Sequence, residues 1–315
     1  MAQPPTLKAQ RSTPNAQRWP DPRAAVRWAR LAGGDAPWLH EEVARRMAER
    51  LAFIRLPVQR WADWSPERGG REGHAQVAAH YPDAECFLVS DYAEHGQCAS
   101  KNKVSPFIRR ELALPQNVPP PGSLHLVWAN MLLHQISEPA ALLEQWRRAL
   151  AAGGFLMFSC LGPDTLRELR ALYRRHGWGE AAQHFTDMHD LGDMLLAAGF
   201  AEPVMDMERI TLTFATHERL LAELRELGRN LHPGRFAGLR TRAWRANLLR
   251  AMDEELRGGS RQAPMALSFE IIYGHALGAP ERAAVAPRTE VSLDAMQQAL
   301  RSTAAGRSGA APTES

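Results

Sequence analysis

The chain has 315 residues, of which 45% are hydrophobic and 23% are charged, so its composition is that of a globular protein. The formal net charge is only +3, and basic residues do not alternate with aromatic ones, which disfavours a nucleic-acid-binding protein. No segment approaches the roughly 18 consecutive apolar residues that a membrane helix requires. The sequence therefore predicts neither a nucleic-acid partner nor a membrane span.

The N-terminal segment and the cysteines indicate where the protein works. The first residues lack the apolar stretch of an export signal, so export is not expected. The three cysteines, Cys86, Cys98 and Cys160, show no CxxC spacing. This disfavours a zinc site and a disulfide framework, and it fits a reducing environment. We therefore expect a cytoplasmic protein.

Both ends of the chain differ from its middle. Residues 1–22 contain five prolines and almost no apolar pattern, and residues 279–315 are rich in small and polar residues. Such segments bury too little apolar surface to offset the entropy of ordering. We expect disordered tails at 1–22 and 279–315 and one domain at 23–278. This domain would have a helical lead-in and a helical insert at about 215–260.

The first half of the domain alternates helical and strand patterns. Leu39, Val43 and Met47 lie on one stripe of an amphipathic helix. The apolar runs that follow lack strict polar alternation, which is typical of parallel strands covered on both faces. The predicted elements are a helix at Trp38–Phe53, strands at Leu56–Asp63, Glu85–Asp91 and Leu124–Ala129, a helix at Glu138–Leu150 that ends at Gly153-Gly154, and a strand at Phe155–Cys160.

The second half adds strands of a different kind. The segment Val204–Phe214 alternates like an edge strand, and Ser268–His275 is a second strand candidate. The pattern predicts an α/β fold with a mostly parallel sheet, an antiparallel C-terminal strand pair and helices on both faces. The predicted helices of this half are Met188–Ala198, His217–Arg229 and Arg240–Leu256.

Three polar positions follow the predicted parallel strands. Asp63 ends the first strand, Asp91 the second, and Asn130 follows the third. A nucleoside cofactor at such a sheet edge needs a glycine loop after the first strand, because its backbone must approach the ligand closely. It also needs an acid for the ribose hydroxyls and a compact polar residue beside the reactive centre. Asp91 and Asn130 stand where these two groups are required.

Several separate segments resemble one family in the same order. The stretch LHLVWANMLLHQISEPAALLEQWRRALAAGGFLMFSCLGPDTLRELR, at Leu124–Arg170, is similar to the class I methyltransferases. Within that class it resembles the malonyl-[acyl-carrier protein] O-methyltransferases of biotin synthesis. The segments Asp187–Phe214 and Ser268–Ala276 and the helix EEVARRMAERLAFIRL resemble the same family. The resemblance covers roughly Pro37 to Gly278 and is strong after Gly122.

This resemblance implies a fold, a reaction and a set of site residues. The fold would be the Rossmann-like sheet of class I methyltransferases. The reaction would be methyl transfer from S-adenosylmethionine to the free carboxylate of a malonyl thioester on acyl-carrier protein, which needs no strong general base. The resemblance assigns Asp63, Gly69, Asp91 and Asn130 to the cofactor and Arg167, Arg170 and His189 to the substrate.

The loop after the first strand departs from the family pattern. Ser65 and Glu67 stand where the family has glycine, and Pro66 lies between them. A Cβ is unfavourable where positive φ or close ligand approach is needed, and proline removes a backbone donor. Glu67 would also bring a carboxylate towards the carboxylate of the cofactor's methionine part. In the third-strand region Arg110 replaces an acid, with Glu111 beside it.

Each candidate residue also has a structural interpretation. Asp63 could bond to loop amides, Asp91 could cap a helix or pair with an arginine, and Asn130 could end a strand. Arg167 and Arg170 could be solvated helix residues, and His189 could cap a helix. Asp164 or Thr165 would cap a helix, with support from Glu168. The grouping Asp187, His189, Asp190 and Asp193 lies at a helix start, where acids are favoured, so no metal site is expected.

Alternatives also remain for the Arg-rich segment and for the function of the protein. The Arg-rich stretch 218–261, with ten arginines and six acids, could dock an acidic carrier protein or form two solvated helices. The altered loop favours a second interpretation, a catalytically inactive relative that binds a carrier protein or another protein. A methyltransferase for a different small carboxylate is a third interpretation.

Overall fold

The computed structural model describes residues 19–31, 35–89, 119–260 and 262–278. The predicted tails lie almost entirely outside them. The helices are α1 (Pro22–Leu31), α2 (Trp38–Glu49), α3 (Pro66–Gly69), α4 (Arg71–His80), α5 (Pro139–Ala149), α6 (Arg167–Arg175), α7 (Met188–Ala197), α8 (His217–Leu227) and α9 (Arg242–Glu255). Short 3₁₀ helices occur at Arg50–Phe53 and Leu133–Gln135. The strands are β1 (Arg60–Trp64), β2 (Glu85–Val89), β3 (Leu124–Ala129), β4 (Leu150–Leu161), β5 (Phe200–Phe214) and β6 (Met265–Gly278).

Within the described residues, the strands form one sheet in the order β2-β1-β3-β4-β6-β5. The pairs β1–β2, β1–β3 and β3–β4 are parallel. The pairs β4–β6 and β5–β6 are antiparallel. This arrangement confirms the predicted mostly parallel sheet with an antiparallel C-terminal pair. Because the chain leaves β1 towards β2 and later returns to pair β3 on the other side of β1, a crevice is expected at the carboxyl ends of β1 and β3.

Apolar side chains cover both faces of the sheet, as the continuous apolar strands predict. Successive residues of β1 face opposite sides, so Trp61 packs in one core cluster and Trp64 in the other. The helix α2 contributes its predicted stripe, Leu39, Val43 and Met47, to the same cluster as Trp61. None of the helices in the described ranges is both long and apolar enough to cross a membrane.

The predicted glycine end of the helix α5 is wrong. This helix ends at Ala149 and β4 begins at the next residue, so Gly153 and Gly154 lie inside the strand. Gly153 has a φ of +76°. A Cβ on Gly154 would lie 2.8 Å from the carbonyl oxygen of Leu124. The two glycines therefore permit an irregular, closely packed strand start, where the β3–β4 register shifts.

The predicted cap by Asp164 or Thr165 is also wrong, because α6 begins only at Arg167 and its first turn has no side-chain cap. Thr165 instead exchanges two hydrogen bonds of 3.1 Å with the backbone of Glu270 in β6. The Asp164 carboxylate accepts a hydrogen bond from Arg209 at 2.6 Å. Both side chains tie this loop to the antiparallel strands, a tertiary contact that the local spacing does not show.

Candidate functional site

Asn130 connects three elements at the carboxyl edge of the sheet. Its side chain is almost fully buried, and its Nδ2 donates to the carbonyl oxygens of His40, at 2.8 Å, and Gly69. Its Oδ1 accepts a hydrogen bond of 2.6 Å from the Ser159 hydroxyl. The protein itself thus uses both polar atoms of this amide. Asn130 and Gly69 lie together, as expected for a shared site.

Asp63 is the second-to-last residue of β1. Its carboxylate is buried and pairs with Nδ1 of His74 at 2.8 Å. Burial raises the pKa of Asp63, and the neighbouring His74 partly opposes this. The His74 ring also packs 5.1 Å from the Trp61 ring. The strand-end acid therefore anchors α4 to the sheet.

The loop after β1 is a single helical turn. Ser65 has the left-handed conformation, with φ 59° and ψ 54°, at the position where the family has its first glycine. Pro66 begins α3, and the amides of Arg68 and Gly69 donate to the Ser65 carbonyl at 3.1 and 2.9 Å. The amide of Ser65 donates to Val89 at 2.7 Å. The backbone donors at these three residues are therefore bonded within the protein.

Glu41 in α2 caps the N-terminus of α4. Its carboxylate oxygens accept hydrogen bonds from the amides of Arg71, at 2.8 Å, and Glu72, at 3.0 Å. Gly70 joins α3 to α4 with a φ of 108°, a conformation that favours glycine. This cap was not predicted from the sequence, because Glu41 and Arg71 are 30 residues apart and no local motif links them.

Arg68 carries a buried positive charge into this site. The residue is only 8% exposed, and its Nε and Nη1 have no hydrogen-bond partner. Its carbonyl oxygen accepts a hydrogen bond of 2.7 Å from Nδ1 of His40. Burial, with a smaller contribution from the Arg68 charge, lowers the pKa of His40 to about 4. The pKa of His134 also lies well below its usual value, because of burial and of the nearby His40 and Arg68.

The burial of Arg68 was not predicted from the sequence, because the loop was compared only with a glycine pattern. The available signal was a long cationic side chain one residue before the retained Gly69.

Within the described part of the chain, no hydrogen bond or ion pair joins the residues assigned to the substrate to one another. Arg167 is exposed and bonds Glu168 at 3.1 Å. Arg170 donates to the carbonyl oxygens of Thr165, at 3.0 Å, and Gln183, at 2.6 Å. The His189 side chain is 83% exposed in the first turn of α7. Their substrate roles stay predictions. Asp91, Arg110 and Glu111 lie outside the described residues.

Proteins of known name align with most of this chain. The malonyl-[acyl-carrier protein] O-methyltransferase of Gallionella capsiferriformans is 37% identical over 251 residues, which cover 76% of this chain and 83% of that protein. The namesake of Laribacter hongkongensis is 37% identical over 267 residues, covering 81% and 86%. This chain belongs to the malonyl-[acyl-carrier protein] O-methyltransferase family.

The other comparisons add little to this membership. No family model matches the chain. A solved structure, an S-adenosylmethionine-dependent methyltransferase from Archaeoglobus fulgidus, is 14% identical and covers 75% of this chain and 94% of its own, with a TM-score of 0.36. Membership in the O-methyltransferase family therefore follows from the sequence relatives, and the fold from the strand order described above.

The loop after β1 lacks several donors of a glycine cradle for the amino-acid end of S-adenosylmethionine. A cradle for that group needs free backbone amides and no side chain between them and the ligand. Here the amides of Ser65, Arg68 and Gly69 are bonded internally, and Pro66 has none. Ser65 places a Cβ at a left-handed position. The Glu67 side chain is exposed and therefore does not fill the loop. The loop differs from a glycine cradle through its helical turn and through the buried Arg68 side chain.

Proposed function

We propose that this chain is an S-adenosylmethionine-dependent methyltransferase that esterifies the free carboxylate of a malonyl group on acyl-carrier protein. The observation that carries this proposal is the sequence relationship, which extends over most of the chain and of its named relatives. The position of Asp63 and Asn130 at the carboxyl edge of the sheet supports it, because ligands of such sheets bind there. The product would serve as a precursor in biotin synthesis, because the ester masks a charge that an apolar elongation pathway would exclude.

The chemistry asks little of the protein beyond positioning. A malonyl carboxylate is ionised near neutral pH and is already a nucleophile, so no general base is needed. The protein must hold this group and exclude water from it. Trp28 of α1 is buried over Arg68 and is fixed by a hydrogen bond of 3.2 Å from its indole N–H to Gln135. This aromatic cover would provide the exclusion of water.

The partner and the compartment follow from the same proposal. We place the protein in the cytoplasm, where carrier-protein chemistry occurs under reducing conditions. Arg242, Arg245 and Arg250 are exposed on α9, and such a surface complements an acidic carrier protein. The Arg-rich segment 218–261 is therefore the proposed docking region.

The helical turn at α3 favours a second candidate, a relative that binds the acyl-carrier protein without transferring a methyl group. In that case the fold and the carrier-binding surface would be kept and the cofactor site lost. The two candidates differ in one measurable property, the affinity for the cofactor's product.

Calorimetric titration with S-adenosylhomocysteine, followed by methylation of malonyl-acyl-carrier protein, separates the two candidates. The first candidate predicts micromolar binding and methyl transfer, both lost in Asp91→Ala because the ribose contact expected of this acid is removed. Absence of heat and of a thermal shift at millimolar ligand would exclude the enzyme. Capture of malonyl-acyl-carrier protein by the same preparation would then support the second candidate.

A further inference from the structure

Arg68 is a buried cation that has no acidic partner within the described part of the chain. Two of its guanidinium nitrogens, Nε and Nη1, are inaccessible to solvent and have no hydrogen-bond partner. Among the ion pairs of the described residues, none involves this side chain. Enclosing an unpaired charge in protein is strongly unfavourable, so such a group is normally paired with an anion.

Among the described residues, the groups recorded in contact with Arg68 are an aromatic ring, a neutral imidazole and, across that ring's contact, a second arginine. Its guanidinium carbon lies 4.4 Å from the centroid of the Trp28 ring, and that of Arg229 lies 4.8 Å from the same centroid. Burial and the charges of Arg225 and Arg68 lower the pKa of Arg229, so the two guanidinium groups act on each other. Two cations that share one aromatic ring therefore favour a negative ligand.

We propose that Arg68, with Arg229 and the ring of Trp28, forms a binding site for the carboxylate of an acyl ligand. A guanidinium presents donors for both oxygens of a carboxylate, and such charge-assisted hydrogen bonds are strong where water is excluded. The choice of a carboxylate rather than a phosphate rests on the proposed function, because a malonyl group carries a free carboxylate. The site differs from the positions Arg167 and Arg170 that the resemblance assigns to the substrate.

This assignment also explains the changed loop. The one-turn helix α3 fixes the backbone of Arg68 through its amide, bonded to Ser65, and through its carbonyl, bonded to His40. The bond to His40 also links the loop to α2, which caps α4 through Glu41. A flexible glycine loop would not hold a long side chain in one place. The loop therefore has the rigidity that a preorganised anion site requires.

Titration of the full chain with sodium malonate tests this site without any methyl donor. The wild type is expected to bind malonate, and Arg68→Met is expected to bind it at least ~10-fold more weakly, since a charge-assisted hydrogen bond is lost. Arg148→Met, which removes an exposed arginine of α5, should bind like the wild type. Arg229→Met should weaken binding less than Arg68→Met, because Nη1 of Arg229 already donates to the carbonyl oxygens of Arg225 and Gly228.

Two further measurements make the test decisive. Without ligand, Arg68→Met should unfold at the same or a higher temperature than the wild type, since it removes an unpaired buried charge. Sodium phosphate should bind more weakly than malonate. Malonate affinity that is undetectable in the wild type, or unchanged in Arg68→Met, overturns the proposal, and tighter binding of phosphate overturns the choice of carboxylate. Because no cofactor is added, failure of methyl transfer and failure of this site are distinguishable.

Discussion

His40 shows how one buried side chain couples the candidate site to pH. Its imidazole is 1% exposed, and its Nδ1–H donates to the Arg68 carbonyl, so the neutral form fits the site. A proton on Nε2 would place a second charge in a buried region that already contains Arg68. Protonation of His40 and folding of the site therefore oppose each other.

The stability of the protein should consequently fall as the pH decreases from 7 to 5. The unfolded chain takes up a proton at His40 near its ordinary pKa of 6.5, whereas the folded chain does so only near pH 4. In this window the unfolded state binds more protons, so its free energy falls relative to the folded state, by about 2 kcal/mol at pH 5. Urea unfolding at both pH values measures the loss.

The matched variant is His40→Asn, whose amide can still donate to the Arg68 carbonyl. It should lose about 2 kcal/mol less stability than the wild type between pH 7 and pH 5. Any remaining pH dependence would belong to other groups, among them His134, whose pKa is also lowered. Equal losses in the two proteins would show that His40 titrates normally in the folded state.

The positions of two candidate residues were more predictable than their partners. Asp63 and Asn130 were expected at the ends of parallel strands, and they lie at the carboxyl ends of β1 and β3. Their cofactor roles, and that of Gly69, which the resemblance assigned, stay predictions. Their hydrogen bonds to His74 and His40 depend on how helices pack on the sheet. A single sequence carries no local signal for such contacts, so the cap by Glu41 and the burial of Arg68 were not foreseen.

At the scale of elements, the junction between α3 and α4 leaves no room for a side chain. A Cβ on Gly70 would lie 2.6 Å from Oε2 of Glu41, and the residue has a φ of +108°. Gly153 also has a positive φ, +76°, but a Cβ there would meet nothing within 4 Å. An alanine at Gly153 would therefore introduce backbone strain alone, whereas an alanine at Gly70 would introduce strain and a clash with Glu41.

We expect Gly70→Ala to destabilise the protein by about 3 kcal/mol, because both strain and the clash act. Gly153→Ala should cost about 1 kcal/mol, from strain alone. Denaturant unfolding of both variants measures the difference. In a double-mutant cycle, Glu41→Ala should reduce the effect of Gly70→Ala, since it removes the clashing carboxylate. Similar losses in the two glycine variants would contradict the assigned role of Glu41.

Element types were predictable where a pattern repeats, and boundaries were less so. The strand at Leu124–Ala129 was predicted to the residue, because its apolar run is bounded by turns. The first strand was predicted too early, at Leu56, whereas β1 begins at Arg60. Apolar residues before it, such as Leu56 and Val58, instead pack against the core without pairing in the sheet. A hydrophobic pattern therefore indicates which residues are buried, whereas the residues that pair in the sheet depend on where the neighbouring strand lies.

At the scale of the whole molecule, the sheet accounts for the proposed domain limit at residue 278. The last residue of β6 is Gly278, and it pairs with Phe200 at the start of β5. The composition of residues 279–315 predicts that they add little to the folded core. We therefore propose that the domain keeps its stability without them.

A chain that ends after Ala279 should have a thermal midpoint within ~2 °C of the full chain, since no described strand or helix is removed. A chain that ends after Ile271 loses half of β6, and it should not fold cooperatively. Differential scanning calorimetry compares the three proteins. A drop of many degrees in the first truncation would place residues 280–315 in the folded unit.

The position of β6 in the sheet has a consequence for synthesis on the ribosome. Of the described strands this one is the last to be made, yet it lies between β4 and β5 and pairs with both. Until it emerges, β4 has an unpaired edge and β5, already synthesised, has no neighbour to join. Unpaired edges of this kind invite pairing between chains. The nascent protein should therefore depend on chaperones until its C-terminal strand is released, and early translational stops should yield aggregates rather than smaller folded proteins.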